Sequence, residues 1–171
     1  TTNDKNDLAK LRWATGNLKS TGSTNYIWAP SQTEIGYYYA FNKLYNGSTG
    51  DPCSKLNTAY YGTGWRTPSK NELEKLSRCT DKVFTNNGMW FMNKSLGVFL
   101  KAGGVRQESG SGTNGATYTD HGCYWTSTIG TSKNAYNMEF WNTEAHVNNT
   151  SSWFGLQTNG LLIRCVKGTK Q

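Results

Sequence analysis

The chain is poor in histidine and acidic residues, and it has no long apolar run. Its two histidines are His121 and His146, and its eleven Asp and Glu residues do not cluster. Neither a carboxylate pair for glycoside hydrolysis nor a carboxylate cage for calcium is therefore evident. No apolar stretch approaches the roughly 20 residues that cross a bilayer, so the sequence predicts no transmembrane segment.

Motifs typical of enzyme and metal sites are also missing. The sequence contains no GxSxG, HExxH, Gly-rich phosphate-loop or EF-hand pattern. Asn142 and Glu144 could offer two oxygen ligands to a metal, but no cluster of further ligands accompanies them. The sequence therefore predicts no enzyme activity, no cofactor and no metal site.

The basic charge of the chain is dispersed. The formal net charge is +7, yet Lys and Arg occur without any run of three, and no nucleic-acid-binding motif appears. A solvated basic surface is predicted, with no nucleic-acid partner. Hydrophobic residues make up only 35% of the chain, but seven Trp and ten Tyr supply large buried area, which predicts a loop-rich globular domain over residues 1–171.

The four cysteines are Cys53, Cys79, Cys123 and Cys165, and none forms a CxxC pair. A zinc ribbon or a thioredoxin motif is therefore not expected. Their even number and wide spacing favour an exported protein with up to two disulfides. The spacing does not choose among the three possible pairings, and free buried thiols are the alternative.

The segment GWRTPSKNELEKL (64–76) predicts a helix. Ser69 and Glu72 have the spacing of a capping box, in which each side chain accepts a hydrogen bond from the other residue's backbone N–H. Alternatively, Thr67 caps the helix and Pro68 occupies its first position, where a missing N–H costs nothing.

Most other segments have strand or loop composition. Strands are predicted within 97–106, 123–128, 134–140 and 160–168, and the segment 8–18 is predicted to be a strand that enters a turn. A long Gly/Ser/Thr loop spans 106–122. One or two early helices, short mixed or antiparallel strands, long loops and a closing C-terminal strand predict the α+β class.

A candidate binding surface follows from alternation in the strand 134–140 and the polar run after it. If Tyr136, Met138 and Phe140 point inward, then Asn137, Glu139 and Trp141 point outward. Further polar or aromatic residues continue this surface: Asn142, Glu144, His146, Asn148, Asn149, Ser151, Ser152 and Trp153. Aromatic rings with Asn and Ser beside them suit sugars or protein epitopes. Alternatively, Trp141 and Trp153 fold back onto the domain and cover the edges of its core. Separately, both histidines are expected to be exposed to solvent and away from any carboxylate.

Eight short motifs follow one another along nearly the whole chain. They are WATGNL (13–18), GYYYAFN (36–42), DPC (51–53), GWRTPSKNELEKL (64–76), AGGVR (102–106), GCYWTST (122–128), NAYNMEF (134–140) and IRCVK (163–167). In this order they resemble the Fibrobacter succinogenes major paralogous domain family, which is common in surface and secreted proteins of Bacteroidetes. The resemblance implies a C-type lectin-like fold, related to that of formylglycine-generating enzymes.

The same broad fold carries the variable proteins of diversity-generating retroelements, whose ligand-contacting positions lie in the C-terminal segment. Asn137, Glu139, Trp141, Glu144 and His146 fall at such positions, between the scaffold residues Ala135, Met138, Phe140 and Ala145. The resemblance also implies a Cys53–Cys165 disulfide, which leaves Cys79 and Cys123 as a second bridge.

Two departures from related proteins limit what is transferred. WNT stands where animal C-type lectins have WND, and no EPN or QPD motif precedes it, so calcium-mediated sugar binding is not expected. The active-site cysteine pair of formylglycine-generating enzymes has no match among the four cysteines.

The sequence thus predicts an extracellular or cell-surface ligand-binding domain or adhesin, such as the tip domain of a pilus or fimbria. Its partner would be a protein or glycan on a host or neighbouring cell, docked on residues 134–154 and the 106–122 loop. A formylglycine-generating-type enzyme and a structural surface module are the alternatives.

Overall fold

The computed structural model describes residues 2–92, 97–148 and 152–170, so Asn149 and Ser151 of the candidate surface lie outside the described residues. The described part is α+β, with short helices and several small antiparallel sheets. Its α-helices are α1 (Thr2–Ala9), α2 (Thr58–Tyr61) and α3 (Lys70–Ser77). Two short 3-10 helices cover Pro52–Lys55 and Trp153–Gly155.

The strands are short and form four separate sheets among the described residues. They are β1 (Arg12–Trp13), β2 (Leu18–Ser20), β3 (Tyr26–Trp28), β4 (Trp65–Arg66), β5 (Lys82–Phe84), β6 (Gly88–Phe91), β7 (Val98–Lys101), β8 (Gly122–Ile129), β9 (Ala135–Trp141), β10 (Glu144–Asn148) and β11 (Val166–Lys167). The sheet orders are β1-β11-β4, β2-β3, β5-β6-β7 and β10-β9-β8.

Helix α3 begins at the predicted capping box. The Ser69 hydroxyl accepts from the Glu72 backbone N–H at 3.2 Å, and the Glu72 carboxylate accepts from the Ser69 N–H at 2.7 Å. Arg66 donates to both oxygens of that carboxylate, at 2.6 and 2.8 Å, which neutralises its buried charge. The capping box is confirmed. The alternative cap, Thr67, donates its hydroxyl to Asp51 instead.

The first helix was not expected, because residues 8–18 read as a strand entering a turn. Leu8 and Ala9 instead end α1, and the strand begins only at Arg12. Helix α1 packs against α3, where ion pairs join Asp4 to Arg78 and Asp7 to Lys75. Tertiary contacts therefore stabilise a helix that the local sequence does not signal.

The C-terminal strand closes the fold, as predicted. Strand β11 lies between β1 and β4, so it joins the beginning of the chain to the region before α3. Only Val166–Lys167 forms this strand, because Gly160, Leu161 and Leu162 each make an isolated bridge with a different segment.

The sheet β10-β9-β8 lies between two apolar cores. On one face, Tyr124, Met138 and Phe140 join the core that includes the apolar side of α3. On the other side, Cys123 and Trp125 belong to the core around the disulfide. Both faces of β8 are therefore covered, whereas β9 carries polar side chains on the face opposite α3.

A buried polar network ties the closing segment to the sheet. The Arg164 guanidinium donates to the Asn17 side-chain oxygen at 3.0 Å, and the Asn17 amide donates to the Tyr124 hydroxyl at 2.9 Å. Complete burial lowers the pKa of Arg164 to about 10, so it remains protonated at neutral pH.

The disulfide joins Cys53 and Cys165, whose Cα atoms are 5.7 Å apart, as the resemblance implied. The second predicted bridge is wrong, because Cys79 and Cys123 are both free and buried. Their side chains belong to different cores, Cys79 beside α3 and Cys123 beside the disulfide, so the sheet separates them. Burial raises the pKa of both thiols, which keeps them protonated and poorly reactive.

We predict that two cysteines carry a free thiol. Alkylation of the denatured but unreduced protein is expected to label Cys79 and Cys123, and intact mass followed by peptide mapping would show this. Native protein should label slowly at both positions because both thiols are buried. An unlabelled denatured chain would mean that these two cysteines are bridged after all.

We also predict that the disulfide contributes strongly to stability. It joins residues 112 positions apart. Replacing both cysteines, in the variant C53A/C165A, is expected to lower the free energy of unfolding by about 4–5 kcal/mol, since a long loop is freed in the unfolded chain. Urea unfolding measures this. Reductant should shift the unfolding midpoint of the unmodified protein and leave that of the variant unchanged; no shift in the unmodified protein would contradict the prediction.

Candidate functional site

Strand register brings six of the eight predicted ligand-binding residues to one face of the β8-β9-β10 sheet. Residues paired across antiparallel strands place their side chains on the same face. The pairs are Asn137 with Asn148, Glu139 with His146 and Trp141 with Glu144. Asn142 lies in the turn between β9 and β10 with a φ of 49°, and the eighth residue, Trp153, lies in the 3-10 helix beside this face.

The expectation that Asn137 and Glu139 point into solvent is wrong. Asn137, Glu139 and Asn148 are buried, Glu139 being only 5% exposed. The 3-10 helix Trp153–Gly155 packs against β9. A β-carbon at Gly155 would lie 3.1 Å from the Asn137 amide nitrogen, so a glycine allows this close approach. Alternation therefore identified the face, but other segments bury part of it. We call the buried side chains of Asn137, Glu139 and Asn148 the base of this face.

Glu139 is the centre of a polar network at this base. One carboxylate oxygen accepts from His121 Nδ1 at 2.7 Å, and the other accepts from the Asn148 amide at 3.1 Å. The same Asn148 amide donates to the Asn137 side-chain oxygen at 3.0 Å. These donors offset the cost of burying a carboxylate.

Both histidines contact this network, contrary to their expected isolation from carboxylates. The side chain of His121 is mostly buried between Glu139 and the aromatic rings around it. His146 keeps an exposed side chain, but its Nε2 lies 2.9 Å from Asn148 Oδ1 and 3.8 Å from the Glu139 carboxylate. Polar composition around each histidine did not reveal the carboxylate partner, since Glu139 lies on β9 whereas His121 and His146 lie in other segments.

Six rings form a continuous surface above the buried base, here called the aromatic face. Its members are Tyr118, His121, Trp141, His146, Trp153 and Phe154. His121 stacks on Trp141, with centroids 5.1 Å apart and planes 16° apart. Trp153 stacks on Phe154 at 4.1 Å, and Tyr118 contacts both of these rings.

The sequence left open whether Trp141 and Trp153 form a binding surface or fold back onto the domain, and the structure shows some of each. Trp141 is half-buried and packs one side against His121, so it does fold back onto the domain. Trp153 is 40% exposed and Tyr118 is 50% exposed, so both rings present part of their surface to solvent. The aromatic face therefore has fixed inner rings and accessible outer ones.

The loop 106–122 supplies the rings that sequence reasoning missed. The backbones of Val105 and Thr117 pair in an antiparallel bridge, and the Arg106 guanidinium donates to the carbonyls of Asn114 and Gly110. These contacts anchor the loop and bring Tyr118 to the sheet. An aromatic residue inside an otherwise Gly/Ser/Thr loop was the available signal, but its position depends on tertiary contacts.

Metal and membrane features are not found in the part of the chain described. There, no three His, Cys, Asp or Glu side chains are placed to hold a metal ion. The pair Asn142 and Glu144, considered above as possible oxygen ligands, belongs to no such group. None of the described helices is long and apolar enough to span a membrane.

No family model, no curated protein and no solved structure matches this chain. The resemblance described above therefore rests on the eight motifs alone.

We predict that Glu139 stabilises the aromatic face from beneath. The change Glu139→Gln keeps the shape but replaces one accepting oxygen with an NH2 group that faces a donor, and it should lower the free energy of unfolding by about 1.5–3 kcal/mol. Urea unfolding measures the loss. The matched control is Glu144→Gln, on the same face but exposed, which should change stability by less than about 0.5 kcal/mol. Equal effects of the two changes would contradict the assigned role.

Proposed function

We propose that this protein is an exported, cell-surface ligand-binding domain or adhesin, and that its ligand docks on the aromatic face. The observation that carries the proposal is the pair of accessible rings, Tyr118 and Trp153, held beside a buried polar base. The ligand is a protein or glycan on a host or neighbouring cell.

The support beneath the aromatic face favours recognition. Phe154 backs Trp153, and His121 backs Trp141, so the rings lose little freedom when a ligand covers them. Tyr and Trp supply large contact area at a low entropy cost, which is why binding surfaces are rich in them. A protein or a glycan ligand would both bind more tightly to rings whose positions are fixed before binding.

A C-type lectin-like fold is part of the proposal. The Cys53–Cys165 bridge that the resemblance implied is present. Several of the motifs contribute residues to the core or to the strand that closes the fold. Trp65 and Trp125 are buried in the core around the disulfide, and the motif IRCVK (163–167), which contains Cys165, closes the fold. These positions suit scaffold residues of a family that shares one architecture.

Export and attachment to a larger surface protein, such as a pilus or fimbria, complete the proposal. A disulfide between distant segments is typical of oxidising compartments. If the face is diversified, as in variable proteins of retroelements, substitutions should concentrate at the accessible positions Glu144, His146 and Trp153. Asn137 and Glu139 would be conserved, because changing them would disturb the buried base.

We predict that binding depends on the two accessible rings. The unmodified domain, Tyr118→Ala and Trp153→Ala would be screened against a glycan array and against host and neighbouring cells. Loss of one exposed aromatic contact is expected to weaken binding by about 1–2 kcal/mol, roughly fivefold to thirtyfold.

The matched control is Tyr60→Ala, since Tyr60 is 80% exposed but lies on α2, outside the aromatic face. This change should leave binding unaltered. An unmodified domain that binds nothing, or Ala variants that bind as well as it does, would refute the proposed surface.

A further inference from the structure

The carboxylates beside the aromatic face differ from most others in the protein. Six acidic residues form ion pairs with Lys or Arg: Asp4 with Arg78, Asp7 with Lys75, Glu34 with Lys19, Glu72 with Arg66, Glu74 with Lys70 and Asp81 with Lys5. Five carboxylates among the described residues have no Lys or Arg within ion-pair distance: Asp51, Glu108, Asp120, Glu139 and Glu144. Three of these, Asp120, Glu139 and Glu144, border the aromatic face.

The segments that form the aromatic face carry a formal charge opposite to that of the whole chain. The formal net charge is +7, yet the segments 118–121, 139–148 and 152–154 contain no Lys or Arg. These segments supply all six rings of the aromatic face. An acidic, aromatic surface on a basic protein attracts a ligand of the opposite local charge.

The geometry places carboxylates around the rings. A carboxylate oxygen of Asp120 lies 3.9 Å from His121 Nε2, at the edge of the stack, and its side chain is mostly exposed. Glu144 is paired with Trp141 across the hairpin, so their β-carbons are about 4.5–5.5 Å apart on the same face. Glu139 adds its charge from beneath.

We propose that the aromatic face binds the cationic side chain of a partner protein, an arginine or a lysine. A cation over the face of a Trp or Tyr ring is attracted by its π electrons, and neighbouring carboxylates add to this attraction. Arginine suits such a surface best, because its planar group stacks on rings while its N–H groups reach carboxylates. A neutral sugar could donate hydroxyl hydrogen bonds to these carboxylates, but it would gain no attraction between opposite charges. This inference rests on the proposed function and names the chemistry of its ligand.

The test uses small probes that differ in charge but hardly in shape. Acetyl-arginine amide and its neutral analogue acetyl-citrulline amide would be titrated into the isotopically labelled domain, with methyl glucoside as a sugar probe. NMR shifts of His121, Trp141, His146 and Trp153 report binding at the face. Only the arginine probe is expected to shift these signals at millimolar concentration, and added salt should weaken its binding.

Charge-removing variants test the carboxylates. The variant D120N/E144Q should bind acetyl-arginine amide about fivefold to tenfold more weakly than the unmodified domain. The variant E34Q/E74Q removes the same charge from outside the face, since Glu34 precedes the buried tyrosines and Glu74 lies on α3. It should bind the probe as the unmodified domain does.

Several outcomes would overturn the inference. Equal shifts with the citrulline probe, shifts with the glucoside alone, or no shift with the arginine probe would each show that the face does not recognise a cation. Self-association that D120N/E144Q abolishes would make the occupant a second copy rather than a separate partner. In these cases the accessible rings could still bind another ligand. The proposed function itself fails if the unmodified domain binds no cell or glycan, or if Tyr118→Ala and Trp153→Ala leave that binding unchanged.

Discussion

Strand β11 lies between β1 and β4, and the residue just before it, Cys165, is bridged to Cys53. Most strands here have two to four residues, too short to persist as isolated hairpins. The closing segment also reaches the longest sheet, where Leu162 donates to the Cys123 carbonyl and accepts from the Trp125 N–H. One segment thus holds together the ends of the chain, the disulfide core and the sheet that carries the aromatic face.

The aromatic face depends on a carboxylate that a ligand could hardly reach. Glu139 is buried, and its donors His121 and Asn148 come from a loop and from a neighbouring strand. Because the carboxylate accepts a hydrogen bond from each of these side chains, it fixes the ring of His121, on which Trp141 stacks. The same network that makes burial of Glu139 tolerable therefore orients the inner rings, and it leaves the outer rings available for contact.

Local sequence patterns were sufficient to predict the structure of those elements in which residues close in sequence decide the geometry. The capping box of Ser69 and Glu72 involves residues three positions apart, and its geometry follows from the backbone of one helical turn. Alternation along β9 likewise assigned Asn137, Glu139 and Trp141 to one face. Helix α1 was not predicted, because its stability comes from ion pairs and packing with α3, which is distant in sequence.

The sequence by itself determined the α+β class, the α3 cap, the strands β8 and β9, and the side of β9 on which the polar residues lie. It did not predict β10, which lies in the polar run after β9. Tertiary structure alone decided that Glu139 is covered, that His121 is its partner, that Tyr118 joins the face, and that Cys79 and Cys123 stay apart. The physical reason is that strand alternation states only to which side a residue points. Whether that side meets water, a loop or a core depends on segments that reach it through long-range contacts.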